Sequence, residues 1–183
     1  MSRVIAGTAG GRRLVTPAGS ATRPTTDRAR EGLFSTLTSL RGSLAGAGFL
    51  DLYAGSGAVG LEAASRGATE VVLVERDPQA LRACRANVEA LALPGVEIRG
   101  EPVERVLARP AGRGFDVVFV DPPYADPIEP VLAALLAGGW VAAGGIVAVE
   151  RATRGGGPGW PAGFEPLRSR RYGEASLWYG RRP

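Results

Sequence analysis

The sequence predicts an α/β protein with a mostly parallel sheet of seven strands, in which the last strand is antiparallel. Continuous apolar runs alternate with helical patterns from residue 48 onward, and such runs are typical of parallel strands covered on both faces. Near the C-terminus this alternation stops, and two runs separated by Gly173 and Glu174 indicate an antiparallel pair. The predicted strands are Gly48–Leu52, Val71–Glu75, Val96–Arg99, Phe115–Val120, Ile146–Val149, Leu167–Tyr172 and Ala175–Tyr179.

The segments between the parallel strands have the spacing and composition of helices. One of them opens on Pro78, and proline suits the first turn of a helix because the N–H that it lacks has no partner there. The predicted helices of this region are Val59–Arg66, Pro78–Ala92, Val103–Ala108 and Pro127–Ala137.

The N-terminal part differs from the rest of the chain. Two short extended runs, Arg3–Ala6 and Arg12–Val15, flank turn residues and predict a hairpin. A Pro-, Gly- and Thr-rich loop follows, and a helix begins near Thr26 or Asp27. We therefore expect an N-terminal extension over residues 1–41 and a sheet domain over residues 42–183, packed as a single unit.

Composition excludes several classes of function. The 183 residues suit one domain, no apolar run is long enough to span a membrane, and no signal peptide is visible, so we expect a cytoplasmic location. Histidine is absent and Cys84 is the sole cysteine. Ser-His-Asp and Cys-His mechanisms and the usual zinc sites are therefore excluded, and no metal is expected.

Charge is unevenly distributed along the chain. Residues 1–41 and 151–183 each carry a net charge of +5, whereas residues 42–150 carry −6. Two basic flanks around an acidic centre indicate that the ends of the chain grip a polyanion. An ordinary solvated surface is the alternative, since every basic residue is arginine and a biased genome composition inflates that count.

A glycine-rich turn follows the first strand of the sheet. Gly55, Gly57 and Gly60 satisfy the G-x-G-x-x-G pattern, and Glu75 ends the next strand, where an acidic residue can hold ribose hydroxyls. This pattern alone fits a nicotinamide enzyme as well as a methyltransferase. Asp51 favours the methyltransferase, because a carboxylate repels a pyrophosphate but attracts the sulfonium and ammonium groups of S-adenosylmethionine.

A second acidic residue, Glu101, follows the third strand of the sheet, where class I methyltransferases often contact the adenine amine. A solvated loop carboxylate is an equally good interpretation of Glu101. The residues that we expect to bind the cofactor are Asp51, Tyr53, Ala54, Gly55, Ser56, Gly57, Gly60, Glu75, Arg76 and Glu101.

The fourth strand ends in the string Asp121, Pro122, Pro123 and Tyr124, which we expect to be catalytic. The Asp121 carboxylate and the Pro122 carbonyl can accept both hydrogens of an exocyclic base amine, which frees the nitrogen lone pair for attack on a methyl group. Tyr124 offers a face on which a base can stack. The string resembles the signature of amino methyltransferases, which act on adenine, cytosine, guanine or a glutamine amide.

The rest of the chain resembles one bacterial family, the 16S rRNA guanine-N2 methyltransferases that modify position 966. The most specific part is the segment from Arg23 to Phe34, joined by Gly11–Leu14, Asp51–Gly60 and Ser65–Ala68. The resemblance runs from about Arg3 to Tyr179. It implies a monomer with the class I (Rossmann-like) methyltransferase fold, S-adenosylmethionine as donor, and a 30S subunit or assembly intermediate as substrate.

In this interpretation the N-terminal extension contacts rRNA. The residues expected there are Arg12, Arg13, Arg23, Thr25, Arg28 and Arg30. Surface pairing of Arg28 with Glu31 is the alternative to RNA contact on the helix. Two other functions stay open, namely a DNA adenine-N6 methyltransferase and a non-catalytic RNA-binding assembly factor.

Overall fold

The computed structural model describes residues 2–17 and 26–183, and within them it contains nine strands and five α-helices. The strands are β1 (Ser2–Arg3), β2 (Arg13–Leu14), β3 (Gly48–Leu52), β4 (Glu70–Val74), β5 (Val96–Arg99), β6 (Phe115–Val120), β7 (Val141–Ala152), β8 (Glu165–Tyr172) and β9 (Ala175–Arg181). The helices are α1 (Asp27–Arg41), α2 (Ala58–Ser65), α3 (Pro78–Leu91), α4 (Val103–Leu107) and α5 (Glu129–Ala137).

Seven of these strands form one sheet in the order β5-β4-β3-β6-β7-β9-β8. The first five are mutually parallel, β9 runs antiparallel to β7, and β8 runs antiparallel to β9. This topology confirms the predicted fold class. Strand order reverses beside β3, and ligands of open α/β sheets bind at such a reversal, beyond the carboxyl ends of the strands.

Each face of the sheet is covered by its own apolar core, as continuous apolar strands require. On one face α1, α2 and α3 pack against β3 and β4, with Phe34 of α1 stacked on Phe49 of β3 at a ring separation of 6.1 Å. On the other face α4 and α5 pack around Val118 and Val147. None of the helices in the described part of the chain has the length and apolar character that a membrane span requires.

The N-terminal hairpin of β1 and β2 is fastened to α2 by two buried polar side chains. The Glu62 carboxylate accepts hydrogen bonds from the amides of Ile5 and Ala6, at 2.6 and 3.0 Å. The Ser65 hydroxyl accepts from the Ala9 amide at 2.9 Å and donates to the Ala6 carbonyl at 2.6 Å. Residues 2–14 thus pack against the sheet domain, and the division at residue 41 stays a prediction.

Several elements differ from the sequence-based expectation in length. β8 begins at Glu165 rather than Leu167 and β9 ends at Arg181 rather than Tyr179, whereas the hairpin strands are shorter than predicted, at Ser2–Arg3 and Arg13–Leu14. Strand β7 runs from Val141 to Ala152 rather than from Ile146 to Val149. A bulge at Gly144 and Gly145 joins two extended segments, and β9 pairs with the strand as far as Ala152. Helix α5 begins at Glu129, two residues after the predicted Pro127.

Candidate functional site

A cleft of about 760 Å³ lies at the carboxyl ends of β3, β4 and β6. It contains most of the residues that the sequence indicated for the cofactor and all four that it indicated for catalysis. Its described lining consists of Thr16, Pro17, Asp51, Tyr53, Ala54, Gly55, Ser56, Ala58, Val59, Val74, Glu75, Arg76, Asp77, Gln79, Ala80, Val103, Glu104, Phe119, Asp121, Pro122, Pro123 and Tyr124.

The glycine loop between β3 and α2 owes its shape to glycines in two distinct ways. Gly55 and Gly57 have φ values of +58° and +80°, in the left-handed region that glycine adopts without strain. At Gly60 the limit is packing, since a Cβ atom would lie 2.1 Å from Leu73 Cδ2 of β4. Tyr53 also has a positive φ, of 64°, which is strained for a bulky residue and typical of functional sites.

Asp51 is a buried carboxylate at the inner end of the cleft, with 1% of its surface exposed. Its Oδ2 atom accepts a hydrogen bond of 2.8 Å from the Gly60 amide at the start of α2. Burial raises the pKa of Asp51 to about 7, and the nearby charge of Glu75 adds to this rise although the Gly60 amide opposes it. A buried carboxylate of this kind gains most from a ligand that brings a positive charge.

Glu75 directly follows β4, and its carboxylate binds the backbone of the glycine loop. One carboxylate oxygen accepts from the Gly55 amide at 2.7 Å, and the other accepts from the amides of Arg76 and Asp77, both at 2.8 Å. Asp77 in turn caps the N-terminus of α3 by accepting from Gln79 and Ala80. The carboxylate predicted to bind ribose therefore also fixes the backbone around the cleft.

The described lining of the cleft is strongly acidic. It contains five carboxylates against the single guanidinium of Arg76, and these are Asp51, Glu75, Asp77, Glu104 and Asp121. A pyrophosphate would be repelled by this arrangement, whereas a cationic ligand is attracted. The acidic lining thus supports the prediction made from Asp51, that this cleft suits S-adenosylmethionine better than a nicotinamide cofactor.

Asp121 stands beside the glycine loop because β3 and β6 are parallel neighbours. Leu52 pairs in register with Val120, so the next residues, Tyr53 and Asp121, leave the sheet side by side. Burial raises the pKa of Asp121 well above its ordinary value, and the carboxylates of Glu150 and Asp51 raise it further. A carboxylate with a raised pKa is a stronger base than an ordinary aspartate.

The remaining residues of the string extend from the cleft toward solvent. Pro122 is buried, Pro123 is exposed, and the Tyr124 side chain is 53% exposed. An exposed aromatic ring at the mouth of a cleft is suited to stacking against a planar ligand.

Glu101 is not among the described residues that line the cleft. Its carboxylate contacts the guanidinium of Arg109, which lowers the pKa of Glu101. The acidic residue that reaches the cleft from this region is Glu104, in the first turn of α4. The sequence after β5 follows the family pattern only loosely, so it gave no signal that Glu104 rather than Glu101 reaches the cleft.

The arginines predicted to bind RNA occupy very different environments. Arg12, Arg13 and Arg28 are exposed, and Arg12 donates to the Ala90 carbonyl at 2.7 Å. Arg23 and Thr25 lie outside the described residues.

Arg30 requires a correction, because its side chain is completely buried and cannot present a charge to RNA. The guanidinium contacts the Arg3 carbonyl, donates to Asp27 at 2.9 Å, and lies 3.9 Å from the buried Glu62 carboxylate. Arg30 therefore ties α1 to the N-terminal hairpin and to α2. Charge alone suggested exposure, and the helical position of Arg30 faces the core.

Several residues of the cleft were missed by sequence reasoning. Thr16 and Pro17, which follow the hairpin, form part of the wall, as do Gln79 and Val103. None of them belongs to a recognisable motif, and they come from parts of the chain that meet only in three dimensions.

Comparison with known proteins agrees with this geometry. The model of the family described as conserved hypothetical protein 95 matches residues 2–181. The ribosomal RNA small subunit methyltransferase D of Escherichia coli strain K12 is 34% identical over 175 residues, which cover 95% of this chain and 86% of that protein.

Solved structures give the same result for the fold. The Escherichia coli protein yhhF superposes with a TM-score of 0.87 at 34% identity, covering 99% of this chain and 97% of that one. A protein from Thermus thermophilus superposes with a TM-score of 0.80 at 38% identity, covering 98% of both chains. The class I methyltransferase fold is thereby confirmed. The chain belongs to the family described as conserved hypothetical protein 95, which is that of the ribosomal RNA small subunit methyltransferase D proteins.

Proposed function

We propose that this protein transfers a methyl group from S-adenosylmethionine to the exocyclic N2 amine of a guanine in 16S rRNA. By family resemblance the target is position 966, presented on a 30S subunit or an assembly intermediate, and the enzyme acts as a monomer in the cytoplasm. The observation that carries the proposal is the position of Asp121 beside the glycine loop, at a cleft with five acidic residues.

The cleft residues fit the proposed donor. Asp51 and the loop from Tyr53 to Gly57 would hold the positively charged amino acid part, and Glu75 would accept from the ribose hydroxyls while it anchors Gly55. Val103 and Glu104 line the same cleft from the start of α4, where the adenine would lie. When bound, S-adenosylmethionine supplies an electrophilic methyl group on sulfur.

The target base would enter at the exposed end of the cleft. Tyr124 would stack on the ring, and the Asp121 carboxylate with the Pro122 carbonyl would accept the two amine hydrogens. Methyl transfer leaves the nitrogen positively charged until one proton departs. Asp121 is suited to take that proton, because burial and neighbouring carboxylates raise its pKa.

The phosphates of the RNA would lie against the exposed arginines of the N-terminal extension. Arg12 and Arg13 project from the hairpin and Arg28 from the first turn of α1, so they carry positive charge at the surface of the described chain. Such contacts position a polyanion without reading its sequence. Base choice is thus left to the catalytic cleft and to the shape of the RNA.

The direct test is transfer of tritiated methyl from S-adenosylmethionine to three substrates: 30S particles, naked 16S rRNA and duplex DNA. We expect label in 30S particles, with naked rRNA labelled less and DNA not labelled. Asp121→Ala should reduce the rate about a hundredfold or more, while calorimetry shows that S-adenosylmethionine still binds. Label on DNA alone would identify an adenine methyltransferase, and RNA binding without any transfer would identify an assembly factor.

A further inference from the structure

Asn87 of α3 has a buried side-chain amide whose polar atoms are all engaged. The side chain is 2% exposed. Its Oδ1 atom accepts from the Val15 amide at 2.8 Å, and its Nδ2 atom donates to the Val15 carbonyl and to the Ser56 carbonyl, both at 2.9 Å. One amide therefore joins three parts of the chain, namely α3, the segment after the hairpin, and the glycine loop.

Asn87 binds the backbone of Val15 rather than its side chain. Both the N–H and the C=O of Val15 are bonded to Asn87, as they would be to a neighbouring strand, while the Val15 side chain is 56% exposed. Leu14, the residue before it, is buried in the core. The chain thus turns from the core toward solvent at Val15, and Asn87 determines where its backbone passes.

The next two residues reach the cofactor cleft. Thr16 and Pro17 line it together with Ser56, whose carbonyl is held by the same Asn87 amide. One side chain therefore links the segment that leads into Thr16 and Pro17, which we call the outer wall of the cleft, to the glycine loop. Loss of this amide would leave Val15 and Ser56 with unpaired polar groups and release the wall from the loop.

We propose that Asn87 is a positioning residue for the cofactor, holding Val15 so that Thr16 and Pro17 form the outer wall of its cleft. This inference rests on the proposed use of S-adenosylmethionine by the cleft. Its effect is on cofactor binding rather than on methyl transfer, because Asn87 is bonded to Val15 and Ser56, on the side of the glycine loop, and not to the string from Asp121 to Tyr124.

Two substitutions break the same link from opposite sides. Asn87→Ala removes the amide, and Val15→Pro removes the N–H that donates to it. We expect Val15→Pro, which loses one of the three hydrogen bonds, to raise the calorimetric Kd for S-adenosylmethionine about tenfold, and Asn87→Ala, which loses all three, to raise it at least as much. The double variant should bind no more than about twofold more weakly than Asn87→Ala, because the hydrogen bond that Val15→Pro removes is already absent from Asn87→Ala. Amide hydrogen exchange should accelerate at residues 15 and 16 in Asn87→Ala, and at residue 16 in Val15→Pro, whose residue 15 has no amide hydrogen.

Two controls separate positioning from general loss of stability. Val15→Ala keeps the N–H and should leave Kd within about twofold of wild type. Val131→Ala, in the core around α5 on the other face of the sheet, should lower Tm and leave Kd unchanged. In steady-state assays Asn87→Ala should raise KM for S-adenosylmethionine while kcat at saturation stays within about threefold of wild type.

The outcomes are distinguishable. A wild-type protein that does not bind S-adenosylmethionine would overturn the proposed function and this inference together. Wild-type binding with an unchanged Kd in Val15→Pro, or in a folded Asn87→Ala, would overturn the inference alone. If Asn87→Ala does not fold, Val15→Pro decides the matter by itself.

Discussion

The carboxylate of Glu75 accepts a 2.7 Å hydrogen bond from the backbone amide of Gly55, so the end of β4 holds the glycine loop that follows β3. Its second oxygen accepts from the amides of Arg76 and Asp77. A residue whose position is typical of ribose binding is thus first a support for the backbone that forms the cleft. Side chain and loop are set together before any ligand arrives.

Replacing Glu75 with Gln should therefore weaken cofactor binding by more than one lost ligand contact. The new amide would place N–H groups against the backbone N–H groups of Gly55 or of Arg76 and Asp77, so at least one hydrogen bond is lost. We expect the Kd for S-adenosylmethionine to rise at least tenfold, or roughly 1.4 kcal/mol, by calorimetry. Glu89→Gln, which removes the same charge from the exposed face of α3, should leave it unchanged.

Asp51 should make the protein without cofactor less stable as pH rises. Its pKa is raised to about 7 by burial, whereas in the unfolded chain an aspartate has a pKa of about 3.9. Between these values the folded state retains a proton that the unfolded state has released. The contribution of Asp51 to the free energy of unfolding is therefore most favourable at low pH and falls as the pH rises to about 7. The carboxylate thus opposes folding at the pH where it serves a cationic ligand.

Asp51→Asn removes this penalty. Its unfolding free energy should match that of wild type near pH 4 and exceed it at pH 8 by up to about 4 kcal/mol, measured by urea denaturation without cofactor. At the same pH its affinity for S-adenosylmethionine should fall, because the negative charge is gone. A variant less stable than wild type at pH 8 would show that Asp51 is ionised without cost in the folded protein.

Two arginines on α1, two residues apart, should have different roles: one in RNA binding and the other in stability. Arg28 is exposed, so Arg28→Ala should weaken RNA binding and reduce the slope of log affinity against log salt by about 0.7–0.9. Anisotropy titrations of an rRNA hairpin over a range of salt concentrations would measure this slope. An unchanged slope would remove Arg28 from the phosphate contacts.

Arg30→Ala should act on stability. It leaves the buried Glu62 carboxylate without this neighbouring charge and detaches α1 from the hairpin, at a cost of about 3 kcal/mol. Where the variant is folded, its salt slope should equal that of wild type, because a buried guanidinium contacts no phosphate. A reduced slope with unchanged urea denaturation would return Arg30 to the RNA-binding set.

Tyr124 should contribute to binding of the target base and not to binding of the cofactor. Its ring is 53% exposed at the mouth of the cleft, and stacking of a base on such a ring is worth about 1–3 kcal/mol. Tyr124→Ala should lower kcat/KM for the RNA about five- to 150-fold, with Kd for S-adenosylmethionine unchanged. Tyr124→Phe keeps the ring and should retain most of the activity. Equal losses in both variants would place the effect in the hydroxyl group rather than in stacking.

Buried parallel strands were predictable because their boundaries are marked in the sequence. β3, β5 and β6 have the predicted bounds, and each begins at or directly after a glycine, namely Gly48, Gly95 and Gly114. β7 was predicted too short because Gly144 and Gly145 interrupt its apolar pattern, although backbone pairing with β6 continues on both sides of the bulge and pairing with β9 extends to Ala152. Pairing across strands is not a local property of a sequence.

The residues of the candidate site likewise divide into those that the sequence could predict and those that it could not. Asp51 and the glycines lie in one short segment, and Asp121 to Tyr124 are consecutive in another, so both motifs were predictable from local spacing. Asn87 was not, because an asparagine within a helix carries no signal until the chain brings Val15 and Ser56 to it. Arg30 was misassigned for a related reason, since an acidic partner buried on another helix is invisible to a count of charges.

Mass mapping of methylated guanines in 16S rRNA tests the central claim most directly. 30S subunits from cells that lack this protein should have an unmodified guanine at position 966, and incubation with the protein and S-adenosylmethionine should add one methyl group at its N2. Asp121→Ala protein should add it at a rate lower by about a hundredfold or more under the same conditions. An identical methylation map with and without the active protein would contradict the account.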